Sequence, residues 1–416
     1  MKKFLIFITL SLSLVACSNN VSETPAKGAL NNVRYALNTT NREQIDGTYI
    51  NKLSDFAGSI YDISKEDDNF VISPISIYMA LAMMHQVGDA TSKAEIETLL
   101  GMDNTYIDQT GDLFSKLVYE FKEEDTLVSR CDLSNSVWVN QGTKTHQEAL
   151  DELADKLYCY AFEAPFKKNN KQANKAIKEF IKERTNGLID QDFNLDVQTL
   201  FALINTLYLK DVWREYGELQ TSQRIFHNAT ADKTVEFLDS GYAGKEVLEN
   251  EISSYCYAST IKGYKLKFIV PKEGHTLEEA MSPENIAFVN NTKSYFVSDD
   301  GGRHMTRCIF PSFKVDSDVN LLEDLTGRGY LTYTASGCKS NLIDEDLFLS
   351  EIKHVAKLKV DKKGIEGAAV TMAVYASSAY DPRPIYYHDF IVDKNFGFLV
   401  TSPQDVVLFA GQIKNM

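Results

Sequence analysis

Near the C-terminus, the stretch from Gly367 to Tyr380 carries no charged side chain. A solvated loop seldom avoids charge for so long. Upstream, Ile352, His354, Ala356, Leu358 and Val360 alternate with polar neighbours, which predicts a half-buried strand. Downstream, Asp381-Pro382-Arg383-Pro384 cannot sit in a central strand, because proline has no N–H to give to a ladder. The uncharged stretch is therefore held between a strand and a proline-broken segment. Successive strand residues face opposite ways, so Ile365, Gly367, Ala369, Thr371 and Ala373 share one face. That face is small and uncharged enough to slide onto a packed core. The other face begins with Glu366, expected to stay in water. Such a segment has two homes, an exposed loop and a buried strand. At about 1 kcal/mol net per hydrogen bond, pairing roughly a dozen residues releases on the order of ten kcal/mol.

The remaining chain must supply a body large enough to take such a strand. Its 416 residues, 44% hydrophobic and 24% charged, are those of a globular protein, and 23 Phe and 21 Tyr fill a large core. A formal charge of −15 argues against nucleic acid and against electrostatic adhesion to anionic lipid, both of which need clustered Lys and Arg. At the N-terminus, Lys2 and Lys3 precede an apolar run from Phe4 to Val15 that is too short to span a bilayer and has the form of a secretory signal. It ends in Leu14-Val15-Ala16-Cys17, which resembles a bacterial lipobox. The resemblance implies a signal peptide over 1–16, lipid on Cys17, and export to the bacterial envelope or beyond, with membrane contact only through the anchor. Residues 17–44, rich in Asn, Thr and Ala without apolar periodicity, are expected to be a flexible tether, and 45–416 one domain. The other cysteines, Cys131, Cys159, Cys256, Cys308 and Cys338, form no CxxC pair, so they are expected to be mostly buried small apolar residues, with a disulfide left open in an exported protein.

Helical and strand patterns are mixed along the domain. Leu53, Phe56, Ala57 and Ile60 share a helical face, and Ser73-Pro74 opens an almost wholly apolar helix over 75–87 in the order cap, then first-turn proline. Residues 170–187 predict a helix with Ala173, Ile177, Phe180 and Ile181 on one stripe and Gly187 at its end. Phe201 to Leu209 predicts a central strand, Tyr264 to Val270 an alternating one, and 396–400 with 406–409 a hairpin. Strand-rich sequence comes late, which favours α+β over a doubly wound sheet.

Five segments, in order, resemble one family. They are Asn69-Phe-Val-Ile-Ser-Pro-Ile-Ser-Ile; the helix ending Thr185-Asn186-Gly187; Asn205-Thr-Leu-Tyr-Leu-Lys-Asp-Val-Trp213; Leu349-Ser-Glu-Ile-Lys-His354; and Phe390-Ile-Val-Asp-Lys-Asn-Phe-Gly-Phe398. Together with Asp361-Lys-Lys-Gly-Ile-Glu-Gly-Ala-Ala-Val-Thr371 they resemble the serpins. The resemblance covers roughly 45–416 and implies the serpin fold, helices around a large mixed sheet with smaller sheets. It implies a reactive-centre loop at about 362–388, with Lys362, Gly364, Ile365, Glu366, Gly367, Ala368, Ala369 and Thr371 as its hinge. It also implies that Ser73, Ser76, Asn205 and His354 form a polar cluster where the sheet opens, with Trp213 at the top of the same sheet.

The function implied is inhibition of a serine protease, or a cysteine protease, by a single-use substrate. The protease attacks the loop, forms an acyl-enzyme, and is carried along as the loop enters the sheet. Counted from Gly364, the bait bond falls between Ser378 and Ala379, whose small neighbours suit an elastase-like or subtilisin-like pocket; Tyr380 is the alternative. No catalytic residue, cofactor or metal is implied, and a monomer is expected. Two other readings stay open, a non-inhibitory serpin that binds or carries a ligand, and a hydrolase with a dispersed triad. Departures from the family pattern are Ile365 for Thr or Ser, Gly367 for Ala, Lys362 for Glu and Asn395 for Pro. Against the hydrolase, no G-x-S-x-G, H-E-x-x-H or phosphate-binding loop motif is present, and the seven His lack ligand spacing.

Overall fold

The computed structural model describes residues 21–22, 29–33, 35–36, 44–123, 127–214, 218–228, 231–245, 247–292, 302–349, 352–366 and 383–416. Cys17, the signal over 1–16, and Gly367, Ala368, Ala369, Thr371, Ser378, Ala379 and Tyr380 lie outside the described residues.

The principal sheet runs β14 (Phe313–Asn320), β15 (Lys353–Asp361), β16 (Gly364–Ile365), β7 (Phe201–Val212), β5 (Leu127–Asn140) and β4 (Tyr119–Glu123), with β6 (Cys159–Ala164) parallel to the second half of β5. A six-stranded sheet runs β10 (Leu248–Glu249), β11 (Ser253–Ser259), β12 (Lys265–Pro271), β18 (Phe396–Thr401), β19 (Val407–Ile413) and β3 (Phe70–Ile72). A four-stranded sheet runs β17 (Ile385–Ile391), β13 (Arg303–Pro311), β9 (Lys233–Gly244) and β8 (Gln220–Phe226), and β1 (Val21–Ser22) pairs β2 (Tyr35–Ala36). Helices pack against these sheets, so the class is α+β.

Local chemistry accounts for the elements that frame the principal sheet. The helix Pro74–Val87 begins where the Ser73 hydroxyl accepts the Ser76 N–H at 3.3 Å and Pro74 occupies the first turn. Nearly all its side chains are buried, which its apolar sequence requires. The helix Phe166–Arg184 buries Ala173, Ile177, Phe180 and Ile181 and stops at Thr185-Asn186-Gly187. There the Thr185 hydroxyl donates to the Ile181 carbonyl (2.8 Å) and accepts the Ile189 N–H (3.1 Å), while Gly187 takes φ +78°. Along β15 the alternation is as expected, with His354, Ala356, Leu358 and Val360 buried. β18 and β19 form the C-terminal hairpin.

Two segments differ from the sequence expectation. Part of the expected tether is docked rather than free. The Leu30 N–H donates to the Ala161 carbonyl of β6 at 2.7 Å, and Val33 is buried beside it. The Asn31 amide donates to the Leu150 and Cys159 carbonyls (2.9 and 3.0 Å) and accepts the Ala161 N–H (2.9 Å). The expected loop of 362–388 is also strand at both ends, as β16 and as the start of β17, which lies parallel to β13.

Candidate functional site: a gap between two strands of the principal sheet

β15 and β7 are neighbours in the principal sheet, yet among the described residues they are joined only through the two residues of β16. Ile365 pairs Val360 on one side and Asp211 on the other, and Gly364 pairs Asp361 and Val212. Both pairings are antiparallel, so β15 and β7 run side by side toward β16. Beyond it lies a cavity of about 260 Å³, lined by the Phe201–Leu207 stretch of β7, the Lys353–Lys357 stretch of β15, and helix residues such as Ile77 and Ile181. Phe201 to Asn205 are half-buried, whereas Leu207 to Leu209 are buried. The unpaired portion of β7 is therefore the portion with incomplete cover.

The hinge is fixed by backbone fit. Gly364 has φ +156°, and a Cβ there would lie 2.1 Å from the Asp211 carbonyl oxygen, so only glycine fits. Ile365 is fully buried, its side chain already in the core. The Glu366 N–H makes a further rung, to the Lys359 carbonyl at 2.7 Å. Glu366 then adopts φ +68°, a conformation that non-glycine residues seldom take. Its carboxylate accepts the Tyr208 hydroxyl at 2.6 Å, and the Asn186 amide donates to that same hydroxyl at 3.1 Å. Burial first, and the hydrogen bond to Glu366 second, raise the Tyr208 pKa, so the phenol stays protonated and donates. Glu366 was expected in water; it is half-buried and tied to the wall of the gap instead. Lys362 lies at the base of the hinge, 3.0 Å from Glu218, and its carbonyl accepts the Leu219 N–H.

The sequence-predicted cluster lines the cavity, in two parts. His354 Nε2 accepts the Ser73 backbone N–H at 3.0 Å, and the Ser73 and Ser76 hydroxyls are 2.9 Å apart. Burial lowers the His354 pKa to about 4, only partly opposed by the Asp318 charge, so the ring is neutral with Nε2 as acceptor. Asn205 turns away from this group. Its amide donates to Asn135 Oδ1 at 2.7 Å, and the Asn135 amide donates to the Leu157 carbonyl. Asn205 Oδ1 is buried with no hydrogen-bond partner among the described residues. Trp213 caps the same end of the sheet as the hinge. Its indole N–H donates to the Asp361 carbonyl at 2.7 Å, and its ring meets Phe310 edge-on.

Asp211, the β7 partner of Ile365, is a residue of this site that the sequence reading passed over. Fully buried beside β16, its carboxylate accepts the Ser129 hydroxyl and the Val212 and Lys262 backbone N–H groups. Burial raises its pKa while those donors lower it. Asn135, Tyr208 and Asn186 were likewise not singled out for contacts to this site. Among the described residues, no group of three or more His, Cys, Asp or Glu could hold a metal ion, and no helix is long and apolar enough to cross a membrane.

The comparisons with known proteins agree with this geometry. The family model described as Serpin (serine protease inhibitor) matches residues 51–416. Serpin A3-7 of Bos taurus is 26% identical over 403 residues, covering 91% of this chain and 92% of that protein. The native-state structure of the thermophilic serpin tengpin superposes with a TM-score of 0.73 at 24% identity, covering 91% of this chain and 97% of that one. Thyroxine-binding globulin, solved in complex with thyroxine, superposes with a TM-score of 0.67 at 20% identity, covering 87% and 98%. The gap, its short hinge strand and the match across the whole globular part have one reading: this chain belongs to the serpin family, whose members are in general protease inhibitors.

Proposed function

We propose that this protein traps a serine protease, or a cysteine protease, as a single-use substrate. The observation that carries the reading is β16, a two-residue strand already seated between β15 and β7 with a cavity continuing below it. Cleavage C-terminal to the hinge releases the chain that follows Glu366. It then extends β16 antiparallel to both flanks, covering the half-buried part of β7 and the apolar cavity wall. The uncharged sequence from Gly367 onward suits that burial. The protease, held as an acyl-enzyme on the cut end, is carried away from the loop's original position, and hydrolysis is not completed. The chain supplies a bait bond and a better-paired final state; the nucleophile and base belong to the target.

Ser378–Ala379 is the proposed bait bond, with Tyr380 as the alternative, and the proposed targets are elastase-like or subtilisin-like. Export through the 1–16 signal and lipid anchoring on Cys17 belong to the same proposal, placing the inhibitor at a cell envelope or outside it. The thyroxine-bound neighbour is the reason to keep a non-inhibitory binding reading as the second possibility.

The deciding experiment mixes the purified protein with pancreatic elastase and with subtilisin and resolves the products on a denaturing gel. The proposal expects a covalent complex and a cut at Ser378–Ala379 or beside Tyr380. Clipped protein without complex, across a protease panel, favours the binding reading.

A further inference from the structure

We propose that Cys256 and Cys308 are a peroxide-responsive thiol pair that closes into a disulfide between the two smaller sheets. Their Sγ atoms are 3.0 Å apart, one on β11 and the other on β13, and both residues are buried. The register of β13 against β9 shifts between Arg307 and Ile309, so Cys308 stands in a β-bulge. Its N–H donates to a side chain of β9, the Ser240 hydroxyl, at 2.9 Å. Bulges re-aim side chains, and this one places the Cys308 sulfur beside Cys256 on a different sheet. Cys131, Cys159 and Cys338 are buried and free as well. For Cys159 the sulfur faces a backbone carbonyl, that of Tyr160.

The surroundings favour oxidation of one particular sulfur. Lys245 is buried nearby, its ammonium donating to the Tyr257 carbonyl at 2.5 Å and lying over the Tyr257 ring. The Cys308 thiol approaches that same carbonyl at 3.4 Å. Burial opposes a thiolate at Cys256, but the S–H donated by Cys308 and the Lys245 charge outweigh it and lower the Cys256 pKa. Cys308 is pushed up, by burial and then by its neighbour. The Cys308 thiol donates to the Cys256 sulfur at 3.0 Å, which makes Cys256 the attacking sulfur in this proposal and Cys308 the resolving one. A cavity of about 360 Å³ is lined by Ser240, Lys245, Tyr257, Ala258 and Met305, residues next to the pair rather than the cysteines themselves, and has room for a peroxide molecule and for the water it becomes.

The chemistry needs hydrogen peroxide as oxidant. The Cys256 thiolate attacks one peroxide oxygen, the O–O bond breaks, and hydroxide leaves to become water, giving a sulfenic acid on Cys256. The Cys308 sulfur then attacks the Cys256 sulfur, the S–O bond breaks, and the oxygen departs as a second water carrying the thiol proton. Two thiols and one peroxide give one disulfide and two waters. Closure fastens β13, and with it β17 beyond the reactive stretch, to β11.

The test treats the folded full-length protein with hydrogen peroxide, blocks remaining thiols by alkylation, and reads intact mass, peptide map and thermal midpoint. The expected result is loss of two hydrogens, a linked peptide pair containing Cys256 and Cys308, and a midpoint several degrees higher that returns on reduction. In Cys308→Ala, peroxide followed by dimedone should label Cys256 in the folded protein. No hydrogen loss from native protein, a link through other cysteines, or dimedone labelling only after denaturation would overturn the proposal. The wild-type peptide map decides even where the variant does not fold.

Discussion

The Tyr208 hydroxyl, donating to Glu366 at 2.6 Å, joins the wall of the sheet gap to the last described residue of the hinge. Tyr208 also receives the Asn186 amide, so the end of the helix Phe166–Arg184 is linked to the hinge through one phenol. Glu366 itself has φ +68° at the end of the described hinge. Tyr208→Phe removes a bond to a charged group, worth about 1.5 kcal/mol. The Glu366 amide, bonded to Lys359, should then exchange with deuterium roughly tenfold faster. Unchanged exchange would show that the rung stands without the phenol.

Gly364 admits no side chain. Gly364→Ala puts a methyl 2.1 Å from the Asp211 carbonyl oxygen, and backbone cannot yield as a side-chain tip can. The expected outcome is loss of the β16 pairing and exposure of Ile365, at a cost of about 1–3 kcal/mol. Denaturant unfolding measures the stability, and proteolysis near residue 365 reports the exposure. A variant as stable and as resistant as the parent would contradict the fit.

His354 makes stability fall with acid. Its folded pKa of about 4 lies below the ordinary 6.5, so the unfolded chain binds the extra proton more readily. The contribution is fully present above pH 6.5, is lost as pH falls toward 4, and is constant below that, amounting to roughly 3 kcal/mol. His354→Gln should flatten this part of the pH profile in thermal melts. A parent profile equally flat between pH 6.5 and 4 would remove the assignment.

Asn31 anchors the N-terminal segment to β6. Asn31→Ala deletes bonds to Leu150, Cys159 and Ala161 and leaves a backbone N–H of Ala161 without that acceptor. A loss of about 2–3 kcal/mol is expected in urea, or of the docked segment alone if it detaches separately. Hydrogen exchange at Ala161 distinguishes the two.

Much of this was legible in the chain because it is local. Ser73 and Pro74 signal a helix start within two residues, and His354, Ala356, Leu358 and Val360 show their burial by period alone. Thr185 and Gly187 likewise end a helix by side-chain and backbone preferences of their own. What was missed is long-range. Nothing near Asn31 signals a partner 130 residues away, and a polar, aperiodic stretch is the ordinary signature of a tether. Glu366 sits where alternation points to solvent; the left-handed turn that brings it to Tyr208 depends on a partner 158 positions away. Asp211 offers a similar lesson, since a charged residue in a strand gives no sign that donors from two distant segments, at Ser129 and Lys262, converge on it. The sequence-matched cluster was found as a set, but its split, with Asn205 bonded to Asn135 and His354 to Ser73, follows from side-chain rotamers that no motif encodes.

The two seated residues of β16 have a kinetic consequence. Bringing a distant segment to a slot normally requires an entropic search before any contact rewards it. In the proposed insertion the first rungs exist while the chain is uncut, so growth would start from a fixed end and have one available direction, away from Trp213 and toward His354. Addition residue by residue resembles the closing of a zip fastener whose slider is already engaged, and its speed is then set by how readily the two flanks part.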